Sequence, residues 1–208
     1  MVKIHEKIIF FDFDGVIKDS VEVKTDAFEL LFTPYGESIA TRVKNHHKKN
    51  GGMSRFDKLP IYLKWAGESP VEKLIDKFEK RFSKLVKQKV IDSRWILGVL
   101  DYLEERSCYQ QFFIITATPQ KEIEEILCTL EIDHFFKGVI GAPTKKGEAI
   151  KKIMADYKFI QREVVMIGDS YSDYKAAVEN KVSFILRNTE LNKKLQQSLI
   201  CKKIDNFL

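Results

Sequence analysis

Residues 7–13 read Lys-Ile-Ile-Phe-Phe-Asp-Phe, a short apolar run rich in β-formers that breaks off at acids. No polar residue alternates within Ile8–Phe11, so a strand here is hidden on both faces, as in a parallel sheet covered by helices. The second half of the chain repeats the signature. Residues 111–116 (Gln-Phe-Phe-Ile-Ile-Thr), 138–141, 163–168 (Glu-Val-Val-Met-Ile-Gly) and 182–186 (Val-Ser-Phe-Ile-Leu) are further short apolar runs. Helical segments are expected at 94–106, from Pro119 to about Leu130, and at 146–157, 171–180 and 190–199. Strands alternating with helices specify an α/β fold, a doubly wound, Rossmann-like parallel sheet.

The first strand is separated from the others. No strand pattern occurs between about 20 and 110. Residues 19–34 read as a helix with Asp19 or Ser20 as its N-cap, and 35–90 as lysine-rich helices broken at Asn50-Gly51-Gly52 and near Gly67 to Pro70. Val71, Leu74, Ile75, Phe78, Phe82 and Leu85 fall on one helical face. The expected division is a core of residues 1–17 and 91–208 with a helical domain inserted at 18–90.

At 208 residues, 44% hydrophobic and 31% charged, the chain can bury a core and is not disordered along its length. No apolar run approaches the roughly 18–20 residues of a membrane span, and the N-terminal segment lacks the small-residue cleavage site of a secretory signal. Cys108, Cys128 and Cys201 are odd in number and far apart, which excludes a zinc ribbon or disulfide framework and points to a reducing cytoplasm. Charge is unevenly placed. Residues 42–89 hold 14 Lys or Arg against five Asp or Glu, while the rest of the chain holds 21 against 25. A basic middle on an acidic frame attracts an anionic partner, or is simply a solvated lysine-rich surface.

Ligands of open parallel sheets sit beyond the carboxyl ends of the strands. There this chain places Asp12-Phe13-Asp14-Gly15, then Thr116, then Gly168-Asp169-Ser170 with Asp173 close behind, and Lys145-Lys146 opening a helix. Carboxylate oxygens suit Mg²⁺, which bridges to phosphate. A carboxylate is also a competent nucleophile toward a phosphoryl group, provided a cation and a lysine offset its repulsion of the phosphate. A second carboxyl two residues along an extended chain points to the same side, where it can protonate a leaving oxygen and later deprotonate water. Taken singly, Thr116, Lys146, Asp169 and Asp173 are equally readable as turn, surface or helix-cap residues.

Together these residues resemble the haloacid dehalogenase-like (HAD) superfamily of hydrolases, from Phe10 to about Leu186. FFDFDGVIKDS is similar to its first motif, FIITATP to its second, GAPTKKGEAI to its third and VVMIGDSYSD to its fourth. The resemblance implies Asp12 as nucleophile and metal ligand, and Asp14 as general acid/base with its backbone carbonyl on the metal. It implies Thr116 and the Ala117 N–H as phosphate contacts, Lys146 (or its neighbour Lys145) as the neutralising lysine, and Asp169 and Asp173 as ligands or supports of Mg²⁺. Gly15 serves the turn, and Ser170 assists the metal shell. An acid at position 14 favours phosphate-monoester hydrolysis over carbon–halogen cleavage.

In such relatives, a helical-cap branch similar to β-phosphoglucomutase and phosphoglycolate phosphatase, the insert is a cap closing over the site, and Gly51–Phe56 resembles the cap loop of the β-phosphoglucomutase-like members. Arg55 and Lys58 are then candidate substrate clamps, against the plainer reading of a Ser54 N-cap with an exposed arginine behind it. Adjacent His46 and His47 point to different helix faces and are expected at the surface; Trp65 and Trp95 are expected to pack. The implied function is Mg²⁺-dependent hydrolysis of a small phosphorylated metabolite. A sugar phosphomutase uses the same residues, and a binding module for an anionic partner is the rival of another class. No nucleic-acid motif and no membrane partner are expected.

Overall fold

A computed structural model describes residues 2–208. Six strands form one all-parallel sheet: β1 Ile8–Phe11, β2 Gln111–Pro119, β3 Phe136–Ala142, β4 Val164–Gly168, β5 Ser183–Arg187 and β6 Lys202–Ile204. Their order is β3-β2-β1-β4-β5-β6. This is the doubly wound order expected of an α/β fold, and its switch point lies between β1 and β4.

The period of two in the strands divides the core. Ile9, Phe11, Phe112, Ile114, Val165 and Ile167 face α5 (Val99–Arg106) and α6 (Gln120–Thr129). Ile8, Phe10, Phe113, Ile115, Val164 and Met166 face α7 (Lys146–Tyr157) and α8 (Tyr171–Glu179). Both faces are dry, which is why Ile8–Phe11 is apolar throughout.

Between β1 and α5 lie four further helices: α1 Val21–Phe32, α2 Glu37–Lys49, α3 Arg55–Trp65 and α4 Glu72–Asp92. The breaks fall at the glycines read from the sequence. Phe28 sits at their centre, with ring centroids 4.0 Å from Phe82 and 5.4 Å from Tyr62. This cluster is continuous with the α5–α6 side of the sheet, and α4 packs on α6. Trp65 and Trp95 pack as expected, each half-buried with a cation over its ring: Arg42 at 4.0 Å and Lys18 at 4.1 Å.

Three expectations are corrected. The segment 190–199 is a 3₁₀ turn at Glu190–Asn192 followed by the short α9 Lys193–Ser198. The edge strand β6 lies in sequence that had shown no pattern, because two of its three residues are lysines at an exposed edge. His47 is buried, not superficial: its helix turns it inward against Phe28, at 4.9 Å between centroids. Among the described residues no helix is long and apolar enough to cross a membrane.

Candidate active site

The carboxyl ends of β1, β2 and β4 open into a cavity of about 800 Å³ whose wall includes Asp12, Asp14, Thr116, Ala117 and Asp169. Asp12 is fixed at the switch point: its N–H donates to the Ile167 carbonyl of β4 at 2.9 Å. Its Oδ1 accepts from the Phe13 N–H at 2.7 Å, and its Oδ2 from Lys146 Nζ at 2.6 Å. Burial pushes the Asp12 carboxyl up to about 7; Lys146 opposes this, while Asp173 and Asp14 add to it. Lys145 is exposed, so of the two lysines it is Lys146 that enters the site.

Lys146 has a second acceptor, Asp173 Oδ1 at 2.5 Å. Burial works against its charge, but Asp12 and Asp173 more than offset that and hold its pKa above the usual lysine range. Asp173, fully buried in the first turn of α8, is fully engaged: its Oδ2 accepts from the Ser170 N–H at 3.1 Å and the Ser170 hydroxyl at 2.5 Å. Asp173 therefore anchors Lys146 and the start of α8, and Ser170 serves that anchor.

Asp14 turns to a different set of partners. It accepts from the Ser20 hydroxyl at 2.6 Å, from Lys24, and from the Thr118 hydroxyl at 3.2 Å. Lys24 also donates to Thr118 at 2.7 Å. Burial raises the Asp14 pKa, but Lys24 and the hydroxyl bonds outweigh it and leave it below the ordinary value. Thr116 is buried, its hydroxyl accepting from the Thr118 N–H at 3.2 Å. Asp169 is the carboxylate without a side-chain partner among the described residues. Burial, Asp12 and Asp173 push its pKa well above the usual range against Lys146. Gly15 makes room for it. Its φ is +77°, and a Cβ there would stand 2.3 Å from Asp169 Oδ2.

Oxygens of Asp12, Asp169 and Asp173 lie within 4.8 Å of one another. Four carboxylates meet two lysines here, Lys24 and Lys146, leaving two negative charges when all the acids are ionised. An all-oxygen donor set with that excess charge fits a hard divalent cation such as Mg²⁺.

The other wall comes from the inserted helices. Arg55 lies on the cavity but is not a free clamp. It forms a buried two-pronged ion pair with Glu122 of α6, at 2.5 and 2.9 Å, and donates to Ser83 of α4 at 2.6 Å. Ser54 does cap α3, accepting from the Asp57 N–H at 3.3 Å, yet the arginine behind it is buried rather than exposed. Lys58, 1% exposed, is hydrogen-bonded to His47, with Nζ 2.9 Å from Nδ1. Gly52 brings the insert onto the core: a Cβ there would meet Ser172 Oγ at 1.9 Å and Ser170 Oγ at 2.4 Å. Lys24, Ser20, Thr118, His47 and Glu122 escaped the sequence reading. Ser20 and Lys24, one helical turn apart, were the available signal, since α1 turns both toward the end of β1.

The comparisons agree with this geometry. The haloacid dehalogenase-like hydrolase family model matches residues 9–186. A phosphorylated carbohydrates phosphatase of Thermotoga maritima is 25% identical over 183 residues, covering 81% of this chain and 79% of its own. Among solved structures, a protein of Haemophilus somnus described as a "predicted phosphoglycolate phosphatase" superposes with a TM-score of 0.76 at 18% identity, covering 99% of this chain and 96% of that one. YfnB of Bacillus subtilis bound to magnesium does so with a TM-score of 0.71 at 17% identity, covering 97% and 95%. The order of the motifs, the strand ends that carry them and the family match all converge: the chain belongs to the haloacid dehalogenase-like hydrolases.

Proposed function

We propose that this hydrolase is a Mg²⁺-dependent phosphatase that cleaves a small phosphorylated metabolite through an aspartyl phosphate on Asp12. The observation that carries the reading is the pairing of Asp12 with Lys146 at the switch point, with a second acid, Asp14, two residues on and held by separate partners. The name of the Thermotoga relative and the magnesium in the YfnB structure are consistent with it.

Asp12, Asp169 and the Asp14 carbonyl are the groups to hold Mg²⁺, with Asp173 behind them. When bound, the cation supplies charge neutralisation that lets a carboxylate approach a phosphate dianion. An Asp12 oxygen attacks phosphorus while Asp14, in the minor protonated form that its lowered pKa allows, gives a proton to the departing alkoxide. The phosphate is held by Lys146, the Thr116 hydroxyl and the Ala117 N–H. Asp14, ionised again beside Lys24, then takes a proton from a water that attacks the same phosphorus. This releases inorganic phosphate and the Asp12 carboxylate. Helices α1–α4 act as the cap that keeps bulk water from the first step. Lys48, Lys49, Lys175, Lys193 and Lys194 ring the mouth and draw anionic substrates inward.

The test is phosphate release from a panel of sugar phosphates, nucleotides and phosphorylated acids, with Mg²⁺, with EDTA, and with Asp12→Asn. Metal-dependent release abolished by the substitution supports the reading. Folded, metal-loaded protein that releases no phosphate from any ester contradicts it, and isomerisation of a sugar phosphate without release moves the assignment to a phosphomutase.

A further inference from the structure

Three of the carboxylates at the sheet edge are fixed through their side chains: Asp12 by Lys146, Asp14 by Ser20, Lys24 and Thr118, and Asp173 by Ser170. Asp169 has no such partner among the described residues, so its carboxylate stands where its backbone puts it. The β4–β5 ladder stops one residue short of it, at Gly168 opposite Leu186. The next residues on the two strands are Asp169 and Arg187. Asn192 Nδ2 donates to both of their carbonyls, at 2.7 and 2.8 Å. A side-chain amide thus adds one more rung to the sheet, at a residue of the cavity wall.

The rest of that amide is occupied too. Its Oδ1 accepts from the Thr189 N–H at 2.9 Å and from Gln196 Nε2 at 2.7 Å. Two donors and two acceptors are what an asparagine side chain offers, and all are used at 7% exposure. A backbone N–H can only donate, so Thr189 settles which end of the amide is oxygen and leaves the nitrogen for the two carbonyls. Capping the Glu190–Asn192 turn explains only the oxygen. The Thr189 hydroxyl accepts from the Asn192 N–H at 3.1 Å while Asn192 Oδ1 accepts from the Thr189 N–H, a reciprocal pair that an aspartate completes equally well. The two amide donors have no part in it, and both go to the exits of β4 and β5.

We propose that Asn192 is a positioning residue for the metal: it holds the Asp169 backbone so that the unpartnered carboxylate is presented to Mg²⁺. This rests on the reading of Asp169 as a metal ligand. Groups behind a ligand set its orientation, and through it the affinity for the metal. Residues 189–195 also line the cavity, so the same amide ties this part of the wall to the metal ligand.

Mg²⁺ is titrated by calorimetry into substrate-free protein, with urea unfolding measured on the same samples. Asn192→Ala removes the whole amide. Asn192→Asp keeps the capping oxygen and removes the donors. Thr189→Ala breaks the cap and leaves the donors. Mg²⁺ affinity is expected to fall about 10–100-fold in both Asn192 variants. It stays within about threefold of the unsubstituted protein in Thr189→Ala, although that variant also loses stability. Asn192→Asp carries the test if Asn192→Ala does not melt cooperatively. Affinity unchanged in the Asn192 variants, or lost equally in Thr189→Ala, overturns the proposal. Asp169→Asn separates this role from the reading beneath it. Mg²⁺ binding that is lost in Asp169→Asn but kept in the Asn192 variants overturns the Asn192 role alone. Mg²⁺ binding untouched by Asp169→Asn, or absent from the unsubstituted protein, removes the metal reading and this role together.

Discussion

Lys146 Nζ lies 2.6 Å from Asp12 Oδ2, joining the start of α7 to the end of β1 across 134 residues of chain. The contact couples the fold to the proposed chemistry. The helix that covers one face of the sheet also delivers the cation that the buried Asp12 needs. Lys146→Met therefore removes both the phosphate's neutraliser and Asp12's partner. A loss of phosphate release of about 10²–10³-fold is expected, with Lys145→Ala within about twofold of the unsubstituted protein because Lys145 is exposed. Equal losses in the two variants would show that the third motif has been assigned to the wrong lysine.

Arg55 and Glu122 form the buried ion pair between α3 and α6. Removing one partner strands the other charge. Glu122→Gln is expected to cost about 3–5 kcal/mol in urea unfolding, and Arg55→Met combined with Glu122→Leu much less than the sum of the single substitutions. Additive losses in a double-mutant cycle would contradict the pairing.

Gly15 gives Asp169 its place, by a φ of +77° and by the absence of a Cβ. Gly15→Ala should displace the Asp169 carboxylate and weaken Mg²⁺ binding by about 10–100-fold, read from the rise in melting temperature on titrating the metal. An unchanged Mg²⁺ titration would remove Asp169 from the metal's ligands.

Lys58 has a folded pKa well below its ordinary value, with burial the main cause and Lys24 and Lys146 adding to it. Between the folded value and about 10.5 the unfolded chain therefore binds a proton that the folded chain does not. Stability from this residue is present at high pH and is lost as pH falls through the window between about 10.5 and the folded value. Lys58→Met should raise the unfolding free energy at pH 7, and the gain should shrink as pH approaches 10. A gain that does not vary with pH would contradict the lowered pKa of Lys58 in the folded protein.

Much of this site was legible in the chain because its acids terminate apolar runs. Ile8–Phe11 and Val164–Gly168 announce themselves as buried strands, and whatever follows such a strand reaches the sheet edge. Helix α7 reads as 146–157 in the sequence and spans Lys146–Tyr157 in the structure, since its apolar spacing is regular and its start follows Pro143-Thr144. What stayed hidden depends on tertiary packing. The partner of Arg55 is 67 residues away on another helix, so nothing local distinguishes an arginine that grips substrate from one that grips Glu122. His47 looked superficial because its neighbours are His46 and Lys48; only the packing of α2 on Phe28 turns it inward. Strand β6 has three residues, too few for any period to emerge.

The central claim is that phosphorus is carried on Asp12. An acyl phosphate trapped by borohydride during turnover is reduced to homoserine, which peptide mass spectrometry locates. The account predicts homoserine at position 12, formed only with both Mg²⁺ and a phosphate ester and absent in Asp12→Asn. Steady phosphate release with no modification at position 12, or with the modification at Asp14 or Asp169, would contradict it.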